Sequence, residues 1–438
     1  MIGAVTHSVQ LNPNGSARGS EKKHSAENKL TNFNTHIDPM IVSVAANLTN
    51  KDNALLKQTN KQVNKTINTT VNNYINDLSN ANIDQDTLKN LLQGFTQAQL
   101  REIIQKVLKL PNNTNKEREK VSATIATIAT NDAGRTALIE KGAITTLKHL
   151  ATKVDTEYGV EGIVTAISNI SCTEAGRTAL NANDVIPTLI HLAKKSNTAK
   201  VREIIAQAIG NIASTEEGRT ALIANDAITI LNHLATQDNT SKGRECIATA
   251  IKNISISDEG IKAVIAKGAI PTLNHLAKKS TTPEEREKIA NAIFLIAKTE
   301  VGRSALITNG NLTTLLNHLA TKVDTPRGEE YIAKAIYEIS TSEAGRSALI
   351  TNGNLTTLNN LATKFKGEYG RYCIAQAMFN ITTSKAGRKA FIKNNGKDAL
   401  NHFEAQVAAQ PHFDRKGTEE LIEKIKENLQ QDLCCIVS

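Results

Sequence analysis

Ala133-Gly134-Arg135-Thr136-Ala137-Leu138-Ile139 decides the reading of this chain, because the string keeps returning. It comes back as Ala175-Gly176-Arg177-Thr178-Ala179-Leu180 and Glu217-Gly218-Arg219-Thr220-Ala221-Leu222-Ile223. Further copies are Val301-Gly302-Arg303-Ser304-Ala305-Leu306-Ile307, Ala344-Gly345-Arg346-Ser347-Ala348-Leu349-Ile350 and Ala386-Gly387-Arg388-Lys389-Ala390-Phe391-Ile392. A degenerate copy stands at Glu259-Gly260-Ile261-Lys262-Ala263-Val264-Ile265. Glycine to glycine, the steps are 42, 42, 42, 42, 43 and 42 residues. A fixed period of that length marks a helical solenoid, in which no repeat buries its apolar face alone and stacked neighbours share one core.

One period accommodates three helices. Residues 132–141 predict a short helix carrying Ala137, Leu138 and Ile139, stopped by Gly142, which suits the left-handed position just past a helix end. That stop falls on Gly142, Gly268, Gly310, Gly353 and Gly396 in five repeats and on Asp184 or Asp226 in two; Asp is among the few residues that tolerate the left-handed region. A second helix over residues 143–153 places Ile144, Leu147 and Leu150 at helical spacing. The third and longest, residues 157–171, turns Val160, Ile163, Val164, Ile167 and Ile170 inward.

With Gly268-Ala269-Ile270-Pro271-Thr272-Leu273 in mid-repeat and Ala208-Ile209-Gly210-Asn211-Ile212-Ala213 at the end of a third helix, the unit resembles an armadillo repeat. The resemblance covers residues 113–405, some two thirds of the chain. It implies an all-α, right-handed armadillo-type solenoid of about seven repeats, with third helices lining a concave groove. Seven residues before each repeat glycine fall Thr127, Asn169, Asn211, Asn253, Leu295, Glu338 and Asn380. In the family an Asn here bonds the main chain of an extended peptide, which makes Asn169, Asn211, Asn253 and Asn380 the peptide-groove residues. An amide suits that task because it offers a carbonyl acceptor and two N–H donors. The alternative is that Asn caps the third helix or bonds the neighbouring repeat. The family's nuclear-import branch adds a Trp one turn before each Asn; here those positions are Thr165, Gln207, Thr249 and Gln376, and the chain has no Trp. The slots for lysine stems are therefore expected to be missing.

Three further ladders follow the same period. Glu119, Glu161, Glu203, Glu245, Glu287 and Glu330 begin the third helices, where carboxylates are ordinary partners of the helix dipole. His149, His191, His233, His275, His318 and His402 recur on second helices, about 10 Å apart as packed helices require, too far to share a metal. Arg135, Arg177, Arg219, Arg303, Arg346 and Arg388 are expected to bridge repeats, with a phosphate-binding stripe as the alternative. No Gly-rich phosphate loop, zinc spacing or nucleophile elbow is present, so no enzyme, cofactor or metal is expected.

Outside the repeats the composition changes. Residues 1–40 are polar and expected to be disordered, and residues 41–112 carry helical patterns that would cap the first unit. Residues 406–433 hold a linker and an amphipathic helix over 418–432, followed by a lipidated tail at 434–438. Cys435-Ile436-Val437-Ser438 fits the C-a-a-X prenylation pattern, with Ser favouring farnesyl; a frayed apolar tail is the alternative. One prenyl chain binds membranes only marginally. The stretch before it carries Glu419, Glu420, Glu423, Glu427 and Asp432 against Lys424 and Lys426, so the second signal is expected to be a palmitoyl group on Cys434. No charged-then-apolar stretch opens the sequence and no run is long enough to cross a bilayer, so neither a signal sequence nor a spanning helix is expected. With Ile2 where myristoylation requires glycine, that modification is not expected either. Net charge is +9, with 3% aromatics and five Cys; Cys172, Cys246 and Cys373 read as core packing in a reducing compartment.

Together these features lead to a membrane-tethered scaffold that binds a partner's extended peptide, is modified by a protein prenyltransferase, and sits in a eukaryotic cytosol on a membrane's cytoplasmic face. The basic charge is too diffuse for a nucleic-acid partner. An armadillo-type regulator or chaperone of small GTPases is the alternative, separable by whether the groove is continuously acidic. The Asn-, Lys- and Thr-rich composition also fits a bacterial effector lipidated by its host.

Overall fold

The computed structural model describes residues 95–237, 240–308, 311–351, 353–364, 367–409 and 415–434. The expectations for residues 1–40, for most of 41–112, for Gly310 and for Cys435 lie outside them. All described residues belong to one compact unit, Asn68–Ser438.

Every described element is a helix, and the helices pack as an armadillo-type α-solenoid. The first repeat is Asp132–Glu140, Ala143–Lys153 and Glu157–Ile170, and six more triplets follow in the same order. Third helices form one layer: Glu157–Ile170, Ala199–Ile212, Ser241–Ile254, Pro283–Ala297, Pro326–Ser340 and Glu368–Thr382, each packed on its predecessor. Short helices stack on short helices and second helices on second helices in the same way. The core between layers is aliphatic, with Ile163, Leu147, Leu150 and Ile167 fully buried in the first repeat. Phe391 and Phe403, also fully buried, enter only in the last repeat.

Chemistry at the repeat joint explains why Gly-Arg recurs. Each short helix is N-capped by Asn131, Thr173, Thr215, Ser257, Thr299, Ser342 or Ser384, whose side chain accepts from the repeat glycine N–H at 2.7–3.1 Å. A Cβ on any of those glycines would lie 1.7–1.9 Å from a carbonyl oxygen of the preceding third helix, so only glycine lets the two helices meet this closely. The next residue, Arg, donates from Nη1 to the carbonyl six residues earlier: Arg135 to Ala129, Arg177 to Ser171, Arg219 to Ala213, Arg303 to Ala297, Arg346 to Ser340 and Arg388 to Thr382, at 2.8–3.3 Å. Those carbonyls end a helix and have no partner in it. The arginines thus bridge repeats as expected, each fixed through Nη1 to the backbone of the preceding third helix.

Left-handed stops are found at Gly142 (φ 73°), Gly268 (70°), Gly353 (78°), Asp184 (48°) and Asp226 (56°). In the last repeat the stop is Asn395 (φ 58°), not Gly396. Gly396 begins the next helix, and a Cβ there would strike the Phe391 ring.

Both described ends of the stack are covered by helices. Gln97–Val107 packs on the first short helix, and Asn115–Ile128 stands in the third-helix layer before repeat 1. Arg415–Cys434 packs on Glu368–Thr382, burying Leu421, Ile422, Ile425 and Leu429. Lys426 pairs with Glu404 at 2.6 Å, and Asn428 Nδ2 donates to Thr382 Oγ1 at 3.3 Å. This helix occupies the place of a seventh third helix. It is part of the stack, and its apolar side is already covered by protein.

Candidate peptide-binding face

The Asn row is built by the ends of the third helices. In Ala199–Ile212 the Ser214 N–H turns to Asn211 O, which leaves the Gly210 carbonyl open. Asn253 Nδ2 of the next repeat donates to it at 2.7 Å. Asn169 Nδ2 does the same for Ala126 O at 3.0 Å. Asn211 and Asn380 act through a hydroxyl relay: each donates at 3.0 Å to Ser171 Oγ or Ser340 Oγ, which in turn donates at 2.6 Å to Ser168 O or Tyr337 O. All four sequence-identified residues are therefore inter-repeat ties that cap the preceding third helix. Asn253 is 9% exposed, whereas Asn169, Asn211 and Asn380 are half-buried. Asn428 makes the equivalent tie in the last repeat, since Thr382 Oγ1 donates on to Phe379 O. Its spacing departs from the period, so the ladder in the sequence does not reach it.

Where the row reads Leu295 and Glu338, charges join the repeats instead. Arg244 and the fully buried Glu285 form a pair at 2.9 and 3.2 Å between repeats 3 and 4. Burial would raise the Glu285 carboxyl, but Arg244, Ser241 and the Thr281 N–H outweigh it and hold it below the ordinary range. Between repeats 4 and 5, Arg286 meets Asp324 at 3.4 Å. Burial pushes the Glu338 carboxyl up, against the pull of Arg303 and Lys298.

Around the Asn row, Thr165, Thr249 and Gln376 are half-exposed and Gln207 is exposed. The Glu row is largely self-neutralised. Glu203, Glu245, Glu287 and Glu330 pair with Lys200 (3.9 Å), Lys242 (2.9 Å), Lys288 (3.2 Å) and Lys334 (2.6 Å) of their own helices. The face is mixed in charge, without a continuous acidic rail among these residues. Lys252, held beside Lys288, has its ammonium lowered by burial first and by that like charge second.

One grouping has no ladder in the sequence. Phe294, Tyr331, Tyr337, Tyr369 and Tyr372 come from the third helices of repeats 4, 5 and 6. Phe294 stacks on Tyr331 with centroids 6.1 Å apart, and Tyr369 tilts against Tyr372 at 6.4 Å. The Lys334 ammonium lies 4.7, 5.5 and 5.8 Å from the centroids of Tyr369, Phe294 and Tyr331. Burial alone would lower this ammonium, but the Glu330 carboxylate holds it above the usual lysine range. The signal was compositional: four of the six tyrosines fall between residues 331 and 372 of a chain with 3% aromatics.

The remaining candidates do not converge on a site. No group of His, Cys, Asp or Glu among the described residues can hold a metal. Burial pushes the Cys373 thiol up to about 12, and Cys246 is buried. Cys172, expected in the core, is exposed. It follows the third helix rather than lying within it and donates from Sγ to Ser168 O. Cys434 is the last residue of the final helix. No described helix is long and apolar enough to cross a membrane.

A family model described as "Rapamycin-insensitive companion of mTOR, domain 5" matches residues 160–226. No curated protein matches. Among solved structures, the chain is similar to an engineered protein at 18% identity, covering 82% of this chain and 98% of that one with a TM-score of 0.51, a likeness of fold. A second engineered protein is 24% identical over 55% of this chain and 99% of its own, with a TM-score of 0.49. A designed armadillo repeat protein in complex with the peptide (KR)4 is 23% identical over 55% of this chain and 98% of its own, with a TM-score of 0.48.

Proposed function

We propose that this protein is a binding scaffold whose third-helix layer holds an extended peptide segment of a partner protein. A prenyl group on Cys435, with palmitoyl on Cys434 as second signal, would hold it on the cytoplasmic face of a eukaryotic membrane. What carries the peptide reading is the state of the Asn row. Asn169 and Asn380 each spend one N–H on the tie and retain a second N–H and an Oδ1 on a half-exposed side chain, and Asn211, whose Nδ2 also reaches Cys172 Sγ at 3.9 Å, retains its Oδ1. Asn253 is closed over by its neighbours and contributes to the stack alone. The self-paired Glu row favours a general peptide scaffold over a holder of a polybasic GTPase tail.

Thr165→Arg/Thr249→Arg tests the peptide half, because it fills the face beside the row without touching a tie. The variant is expected to lose at least about tenfold in affinity, some 1.4 kcal/mol, for peptides that the wild type retains from a random peptide array, at an unchanged melting temperature. Equal retention by a folded variant would refute the reading. The tether rests on Cys435-Ile436-Val437-Ser438. Cys435→Ser is expected to release the protein wholly to the cytosol, and Cys434→Ser to leave it loosely bound. Fractionation of the two variants checks this, and a Cys435→Ser protein that stays on membranes sinks the anchor.

A further inference from the structure

Aromatic side chains are scarce here, and a packed core does not need them: Ile, Leu and Ala fill it through the first six repeats. Yet Phe294, Tyr331, Tyr369 and Tyr372 gather at the third-helix layer, with Tyr369 54% exposed. Three of these rings surround a single point, the Lys334 ammonium, at 4.7–5.8 Å, and Glu330 closes the same point at 2.6 Å. Ring faces carry the negative part of the aromatic quadrupole, so three of them converging beside a carboxylate make a seat for a cation. Among the described residues Lys334 is the one cation so seated; Lys242 and Lys288 lie beside the carboxylates of Glu245 and Glu287 without a ring over them.

We propose that this ledge is a seat for one arginine or lysine side chain of the partner peptide, and that Lys334 is a built-in occupant which the partner's cation displaces. The inference rests on the peptide reading of the third-helix face. Exchange is cation for cation, so the rings and Glu330 keep an opposite partner throughout. The stem of Lys334 is long enough to carry its ammonium into water. The seat selects one basic residue rather than a basic run, because the neighbouring carboxylates are already paired with Lys288 and Lys242. Lys334 therefore sets a threshold: only a cation better placed over the rings than its own gains by binding.

The full chain is titrated with a short peptide alternating lysine and arginine, and with matched peptides in which Gln or Glu replaces every basic residue. Binding is read by fluorescence polarisation and by the protein's own tyrosine emission, which no Trp obscures. Lys334→Met is expected to tighten the basic peptide about fivefold, the range of one exposed cation–π contact. Lys288→Met removes the same charge away from the rings and is expected to tighten it less than about twofold. Tyr369→Ala, at an exposed position, is expected to weaken binding and to erase the gain in the double variant Lys334→Met/Tyr369→Ala. Equal gains from Lys334→Met and Lys288→Met, or a gain that survives Tyr369→Ala, would reduce the effect to bulk charge and overturn the seat. Preference for the Glu peptide would overturn it too, assigning Lys334 to anion binding. If the wild type binds none of the three peptides and retains nothing on the array, the peptide reading fails and the seat fails with it. Retention on the array without the Lys334 pattern overturns the seat alone. Circular dichroism confirms that each variant is folded.

Discussion

Asn253→Ala separates a groove residue from a tie most sharply. The bond it removes, Asn253 Nδ2 to Gly210 O, is 2.7 Å long and nearly closed to solvent, and the carbonyl it leaves is one that the helix has already released, since Ser214 N–H has turned to Asn211 O. A net hydrogen bond contributes about 1 kcal/mol, and an unsatisfied buried carbonyl costs about 1–3 kcal/mol. The loss should therefore fall at about 1–3 kcal/mol, read as a lower urea midpoint at unchanged slope. Asn253→Leu should cost less than Asn253→Asp, because Leu295 already occupies the equivalent position while a carboxylate would face the carbonyl oxygen. Hydrogen exchange should quicken at the end of Ala199–Ile212, where the cap is lost, before it quickens elsewhere. Unchanged stability in Asn253→Ala, with peptide retention abolished, would refute the assignment of this residue to the stack.

Arg244→Met leaves the fully buried Glu285 without its partner and is expected to cost about 3–5 kcal/mol by urea titration, whereas replacing both residues by apolar ones of similar volume should restore most of it. Gly218→Ala places a Cβ 1.9 Å from the Ile212 carbonyl oxygen and is expected to cost more than about 2 kcal/mol, with exchange opening in Glu216–Ala224. Gly210→Ala, whose Cβ would meet Ala250 at an ordinary 3.6 Å, is expected to gain about 0.5–1 kcal/mol in the same assay. His275 and His318 have imidazoles pushed below their ordinary 6.5, by burial first and then by Lys279 or Lys322. The folded state therefore binds fewer protons than the unfolded one just below pH 6.5, and stability should fall as pH drops through that window. His275→Gln/His318→Gln should flatten the slope in urea midpoints measured from about pH 7 to 5.

The period and the three helices per repeat were legible because each stop is local chemistry: a cap, a glycine or an Asp in fixed order. Asn395 against Gly396 was not, since either residue can take a positive φ, and the glycine at 396 answers to a different need, the Phe391 ring that a Cβ there would strike. The Asn row is visible as a ladder in the sequence, but what its side chains bond depends on the distance between successive third helices, which no single stretch of sequence states. The tie through Asn428 and the Lys334 ledge escaped for a related reason. Both are assembled across repeats from positions out of register with one another, so a search for identical steps passes over them.

The joints of this stack are not equal springs. Amide ties hold the first three junctions and the last two, from Asn169, Asn211, Asn253, Asn380 and Asn428. Across the two central junctions, next to Leu295 and Glu338, ionic links do that work. An amide bond is indifferent to salt, whereas the Arg286–Asp324 link reaches an acid that is 61% exposed and is screened as ionic strength rises. The exposed Lys267–Asp226 pair at 3.1 Å adds a second screened link, between repeats 3 and 4, so both central junctions carry ties that weaken with salt. Salt would then soften the middle of the stack, where Phe294 and Tyr331 sit, while leaving the amide ties of the outer junctions unchanged.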